Sequence, residues 1–160
     1  MWFTLEDVAY RVLPRVAAGR ALARAEWLTL VRCAEVLLDK APHGITAEEI
    51  ADNVERFLVA GRSQRAWRVR VLLTCIEVIP VATYGRPFRW LTKAERRAVV
   101  EQQWIPGKRL GRLCAKVKNL VVLGAYGDPR AAARTGYLPV AARRRFLQPA
   151  PAAVVTSVNA

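Results

Sequence analysis

Apolar residues recur at helical spacing along most of the chain, with polar residues between them. The clearest series follows i, i+3, i+4, i+7, i+10 and i+11 and consists of Trp27, Leu30, Val31, Ala34, Leu37 and Leu38. Positions that share one face of a ~3.6-residue period indicate an amphipathic helix. A similar series over residues 110–121 predicts the last long helix. The stretch 64–79 is apolar on more than one side, which is typical of a helix at the centre of a domain.

Capping and turn residues mark where these helices begin and end. Thr46 with Glu49, and Thr92 with Glu95, have the spacing of a capping box, in which two side chains satisfy free backbone N–H groups of the first turn. Pro80 stops the apolar helix before it. Residues 81–91, between Pro80 and the capping box at Thr92, are predicted to form a loop with three aromatic side chains.

The elements together predict an all-α fold. No alternating β-branched stretch requires a sheet. We expect a single compact domain of five to seven helices over residues 1–146, including a short first helix that ends at Pro14. Residues 147–160 are rich in Pro and Ala and have no helical period. They are predicted to be a tail that is disordered or extended along a partner.

Charge is distributed unevenly along the chain. The formal net charge is +13, yet residues 1–60 carry 7 basic and 9 acidic side chains, a net −2, and residues 61–160 carry 19 and 4, a net +15. A basic C-terminal part attracts nucleic acid, an anionic lipid surface or an acidic protein. Arg outnumbers Lys by 21 to 5, which a GC-rich genome also explains, so the functional and the compositional interpretations both stay open.

Two sets of basic residues fall on predicted helix faces, namely Arg62, Arg65 and Arg68, and Arg109, Arg112 and Lys116. Such a face suits nucleic acid, and a basic helical nucleic-acid-binding protein is the alternative function. The sequence has no helix-turn-helix or zinc-finger signature, however. A solvated face, an acidic protein partner and an anionic membrane fit the same pattern.

Residues with catalytic or ligating chemistry are few and scattered. His43 is the only histidine, and the three cysteines, Cys33, Cys75 and Cys114, lack the spacing of zinc, iron–sulfur or haem sites. Each lies on or beside the apolar side of a helix, which predicts core packing. Glycine-rich phosphate or dinucleotide motifs are absent. The sequence therefore predicts no catalytic, cofactor-binding or metal-binding residue in this chain.

The chain shows no targeting or membrane-spanning signal. Its first residues contain early acids and lack the basic-then-apolar order of a signal peptide. No apolar run approaches the ~20 residues of a spanning helix. A cytoplasmic location is predicted, with association to a membrane surface left open.

The order of several short motifs resembles the gluconate 2-dehydrogenase subunit 3 family. It begins with a Glu-Trp-x-x-Leu helix from Glu26 to Leu30 and an acidic capped helix. An aromatic loop then leads into Leu-Thr-x-x-Glu-Arg at residues 91–96. The series closes with Ala-Tyr-Gly-Asp-Pro at 125–129 and Gly-Tyr at 136–137. The resemblance covers about residues 22–138.

This resemblance implies a small all-α accessory subunit without chemistry of its own. In such hetero-oligomers a large GMC-type flavoprotein carries FAD and oxidises a sugar or alcohol, and a cytochrome or other acceptor takes the electrons. Many members carry a twin-arginine export signal that this chain lacks, which suits a cytoplasmic complex or export by a partner's signal.

The residues that match the family's motifs are assigned structural or partner-interface roles only. The middle motif falls on Phe88, Leu91, Glu95 and Arg96, and the closing motif on Tyr126, Asp128, Pro129, Gly136 and Tyr137. The order of Asp128 and Pro129 also predicts the N-terminal cap and the first residue of a short helix. The aromatic residues Trp2, Phe3 and Trp90 are expected to contact the large subunit.

Overall fold

The computed structural model describes residues 13–38, 44–60, 66–103 and 109–131. These ranges contain six α-helices and no strand: α1 (Arg24–Leu37), α2 (Ala47–Ala60), α3 (Ala66–Val78), α4 (Val81–Tyr84), α5 (Lys93–Gln103) and α6 (Arg109–Tyr126). The predicted all-α fold is confirmed. Outside the described residues lie Trp2, Phe3, His43, Arg62, Arg65, Gly136 and Tyr137, most of the predicted first helix and the proposed tail.

Both predicted capping boxes form. The Thr46 N–H donates to Glu49 Oε2 at 2.8 Å, and the Glu49 N–H donates to Thr46 Oγ1 at 3.2 Å. The corresponding bonds between Thr92 and Glu95 are 2.8 and 3.3 Å long. Because the two partners are only three residues apart, the local sequence determines these helix starts.

Helix α1 occupies the centre of the fold. It packs against α2, α3, α5, α6 and a 3-10 turn at Phe88–Trp90. The prediction that the apolar helix over 64–79 is central was wrong. Helix α3 buries Leu73 and Ile76 on one side but leaves Cys75 and Val78 exposed on another. Its second apolar side lacks a covering helix in the part of the chain that the structure describes.

Helices α2 and α6 approach each other closely at Gly124. A Cβ atom at this position would lie 2.6 Å from the carbonyl oxygen of Ile50 and 2.8 Å from Cγ2 of Val54. The Asn53 amide nitrogen also donates to the Gly124 carbonyl oxygen at 3.1 Å. Glycine therefore allows the backbone of α6 to pack directly against α2.

The segment predicted as a loop over 81–91 contains two short helical pieces. Helix α4 starts after Pro80 and ends at Tyr84. Gly85 follows it with a φ of 65°, in the left-handed region that favours glycine. The 3-10 turn then starts after Pro87. A proline is tolerated at such a start because its missing N–H would have no helical partner.

The helices of the described ranges are too short or too polar to cross a lipid bilayer. The predicted location of the protein stays a prediction.

Candidate partner-binding surface

Most residues of the middle motif point into the fold. Phe88 and Leu91 are buried in the hydrophobic core. Arg96 is also buried, and its Nη2 donates to Glu35 Oε2 at 2.8 Å, which ties α5 to α1. Burial lowers the pKa of Arg96. These three residues are therefore buried within the fold and help to hold its helices together.

Glu95 combines its capping role with an ion pair. Its Oε1 accepts a hydrogen bond from Arg86 Nη2 at 2.8 Å, while Oε2 caps the helix start. The bond from the Thr92 backbone N–H is the main cause that lowers the pKa of Glu95, and Arg86 adds to it. Glu95 thus fixes the residues before α5 at the surface.

The closing motif is organised around Asp128. Its Oδ1 accepts the Arg130 backbone N–H at 2.9 Å and Arg130 Nε at 3.0 Å, and Oδ2 accepts from Asn53 Nδ2 at 3.2 Å. The side-chain bonds from Arg130 hold the pKa of Asp128 well below its usual range. Residues 129–131 are helical, so the predicted cap is confirmed. Tyr126 and Pro129 of the same motif are exposed.

Among the described residues, three ion pairs join carboxylates of the first 60 residues to arginines beyond residue 61. Arg70 Nε lies 2.9 Å from Glu26 Oε2, and both side chains are buried. Arg96 pairs with Glu35, and Arg130 pairs with Glu49 at 2.9 Å. Some of the basic residues that give residues 61–160 their positive charge therefore have a structural role. The distribution of charge along the sequence did not predict this role.

An exposed apolar segment lies between the end of α3 and the start of α5. Trp90 is 63% exposed, and Val78 and Val81 are also exposed. The Arg89 guanidinium lies 5.5 Å from the Trp90 ring centroid. Tryptophan is usually well buried in folded proteins, so this side chain is a candidate contact for another molecule.

A groove of about 690 Å³ lies between α3 and α6, which also contact each other. Its apolar lining comes mainly from both helices, and its lining residues are Trp67, Arg68, Val69, Val71, Leu72, Cys75, Lys116, Asn119, Leu120 and Leu123. The structure thus brings one member of each predicted basic set, Arg68 and Lys116, to a single groove. Arg112 is exposed one turn before Lys116, and Arg109 is the first residue of α6.

The cysteines divide between the core and this groove. Cys33 and Cys114 are buried, as predicted, and burial raises the pKa of the Cys114 thiol to about 11. The pKa of Cys33 is raised further, mainly by its complete burial. Cys75 is exposed and lines the groove. The prediction of core packing was wrong for Cys75, because it lies on the uncovered side of α3.

Sequence reasoning placed Trp67 and Leu120 on apolar helix faces but assigned them to no groove, and it did not name Leu123 or Gly124. The available signal for the groove was the second apolar side of α3, since an uncovered apolar side remains once the first has packed. The signal for Gly124 was its place among Val117 and Val121 on the inward face of α6.

Within the described residues, no group of three or more His, Cys, Asp or Glu side chains is arranged to hold a metal ion. No family model matches the chain, and neither a curated protein nor a solved structure shows significant similarity to it. A functional conclusion therefore depends on the residues themselves.

Proposed function

We propose that this chain is the small, non-catalytic subunit of a hetero-oligomer whose large subunit is an FAD-dependent GMC-type dehydrogenase. The large subunit oxidises a sugar or an alcohol and passes the electrons to a cytochrome or other acceptor. The small chain binds and stabilises the flavoprotein without holding FAD. The motif resemblance supports this proposal, together with the division of the motif residues between core and surface.

The observation that carries the proposal is the contrast between Phe88 and Trp90. Phe88 is fully buried and anchors the 3-10 turn, whereas Trp90, two residues later, is 63% exposed. Trp side chains are frequent anchors of protein interfaces. A lasting interface between subunits commonly buries ~2,000 Å² or more, so Trp90 would serve as one anchor within a larger contact.

The residue between these two aromatics is held in place by the fold. Arg89 Nε lies 3.2 Å from Glu77 Oε1 of α3, and Glu77 Oε2 accepts a hydrogen bond from Thr29 of α1 at 2.7 Å. The turn that presents Trp90 is thereby connected to two helices. A preordered contact loses less conformational entropy on binding, which supports a docking role for this turn.

Purification of the tagged 160-residue chain from its native cells tests the proposal. At moderate salt we expect a larger protein to co-purify in a fixed ratio, with flavin absorption in the visible blue. Trp90→Ser should reduce the recovered flavoprotein at least tenfold, since loss of an anchor weakens binding by ~2 kcal/mol or more. Phe57→Ser is the matched control, because Phe57 is a similarly exposed aromatic on α2.

Two results would contradict the proposal. A colourless preparation that carries nucleic acid, released at high salt, would favour the nucleic-acid alternative. Equal recovery of flavoprotein with Trp90→Ser and Phe57→Ser would remove the observation on which the proposal depends.

A further inference from the structure

Two facing stripes of side chains form the groove between α3 and α6. Trp67, Val71 and Cys75 follow one another at i, i+4 and i+8 on α3, and Leu120 and Leu123 lie on the facing side of α6. Residues at this spacing share one helix face. At ~1.5 Å of rise per residue, the eight steps from Trp67 to Cys75 extend over about 12 Å. The groove is therefore long enough for about two turns of another helix.

The rim of the groove is cationic. Arg68 and Lys116 are exposed and line the groove, and Arg112 lies one turn before Lys116 on the same helix. The Arg68 guanidinium lies 5.4 Å from the Trp67 ring centroid. No carboxylate lines the groove among the residues that the structure describes. An occupant that complements this surface needs an apolar face flanked by negative charge.

We propose that the groove binds the apolar face of an acidic amphipathic helix of the large partner subunit. The inference rests on the proposed function for the identity of that partner. Apolar side chains of the helix at i, i+3 or i+4, and i+7 would enter the groove, as in other helix-in-groove complexes. Its carboxylates would face Arg68 and Lys116, which favours the correct register and rapid association.

Other occupants match the surface less well. A nucleic acid would use the cations but leave the apolar floor exposed to water. A flat lipid surface would contact the protruding sides of α3 and α6 more readily than the concave floor between them. A second copy that used the same groove would bring two sets of Arg68 and Lys116 together, and like charges in an interface oppose binding.

Cys75 provides a direct measure of groove occupancy in the unmodified chain. The thiol is exposed in the groove, whereas Cys33 and Cys114 are buried and have raised pKa values that disfavour the reactive thiolate. A maleimide should therefore label the purified chain once and at Cys75, as measured by intact mass and peptide mapping. Failure of Cys75 to react would mean that the groove is already covered by the chain itself, which would overturn the proposal.

The probe is a synthetic amphipathic peptide with Leu at i, i+3, i+4 and i+7 and Glu at the other positions. We expect a saturating concentration to slow labelling of Cys75 at least tenfold. The matched peptide with Lys in place of Glu, duplex DNA and anionic phosphatidylserine vesicles should leave the rate unchanged. Equal protection by the Lys peptide, or stronger protection by DNA or vesicles, would overturn the proposed charge preference.

Paired variants on α6 separate the groove from the surface beside it. Leu123→Asp and Lys116→Glu should each weaken the Glu peptide at least tenfold. Val122→Asp and Lys118→Glu are the controls, since both residues are exposed on α6 outside the groove lining, and each should leave its affinity unchanged. Circular dichroism melting confirms that all four variants fold. Equal weakening by the variants and their controls would overturn the groove as the binding site.

The native purification distinguishes failure of this inference from failure of the proposed function. Loss of the co-purifying flavoprotein with Leu123→Asp, but not with Val122→Asp, would support both. Full recovery of the flavoprotein with Leu123→Asp would overturn the groove assignment and leave the accessory-subunit function standing. Absence of any flavoprotein from the wild-type preparation would overturn both the function and the identity of the partner, even if the Glu peptide bound.

Discussion

Helix α6 packs closely on one side and leaves a groove on the other. Towards α2, Gly124 brings the two backbones into direct contact. Towards α3, Leu120 and Leu123 line an open space. Both sides are apolar, so amphipathicity alone does not distinguish a closed helix junction from an open one. At the junction with α2 the contacting residue of α6 is a glycine, and any side chain there would clash with the Ile50 carbonyl oxygen.

Helix α3 shows the same contrast with charged residues. Arg70 lies on its buried side and pairs with Glu26 of α1, whereas Arg68, two positions earlier, lies in the groove. One arginine is part of the core and the other is exposed to solvent. Their net contributions to stability should therefore differ widely, although the residues are chemically identical.

Arg70→Leu should have the largest effect on stability. The change leaves the Glu26 carboxylate buried without its cation and removes the bond to the Pro14 carbonyl oxygen. We expect a loss of about 3–5 kcal/mol in the free energy of unfolding, measured by urea denaturation. Arg68→Leu should change it by no more than ~0.5 kcal/mol. Similar losses for the two variants would contradict the contrast.

Gly124→Ala should separate α6 from α2. Alanine stabilises a helix by ~1 kcal/mol relative to glycine. The substitution would therefore increase the free energy of unfolding if the junction had space for the added methyl group. The added Cβ would lie 2.6 Å from the Ile50 carbonyl oxygen, and overpacking of this kind costs about 1–3 kcal/mol. We therefore expect a net loss of stability in urea denaturation. An increase in stability would show that the junction is loose.

Asp128→Ala tests the closed junction through pH. Loss of the cap should destabilise the chain by ~1 kcal/mol at neutral pH. The folded-state pKa of Asp128 is lowered by Arg130, so its contribution is complete above the unfolded value of ~3.9. This contribution of Asp128 to stability is lost as pH falls towards the pKa of its carboxyl group in the folded state. The stability difference between wild type and variant should therefore narrow below about pH 4, and a constant difference in acid would contradict this assignment.

Leu123→Ser should have the smallest effect. Its side chain is 43% exposed on the open side of α6, so the free energy of unfolding should change by no more than ~0.5 kcal/mol. A loss comparable with that of Gly124→Ala would show that the groove is packed in solution.

The sequence predicted those features whose partners lie close together along the chain. The boxes at Thr46 and Thr92, and the cap at Asp128, each depend on residues two or three positions apart. The pair between Glu26 and Arg70 joins positions 44 residues apart, and no local pattern identifies which arginine will be buried. The central position of α1 depends on which helices pack against each other. The same is true of the groove beside α3. They were not predictable from periodicity alone.

The central position of α1 has a consequence for the order in which the protein can fold during synthesis. Helix α1 leaves the ribosome before α3 and α5 are made. Its Glu26 binds Arg70, which lies 44 residues further along, and its Glu35 binds an arginine of α5 that lies 61 residues further along. At ~5–20 residues per second, these carboxylates stay hydrated for seconds while α3 and α5 are made. Helix α1 is thus enclosed only after α3 and α5 have been made, and its apolar face stays exposed on the nascent chain until then.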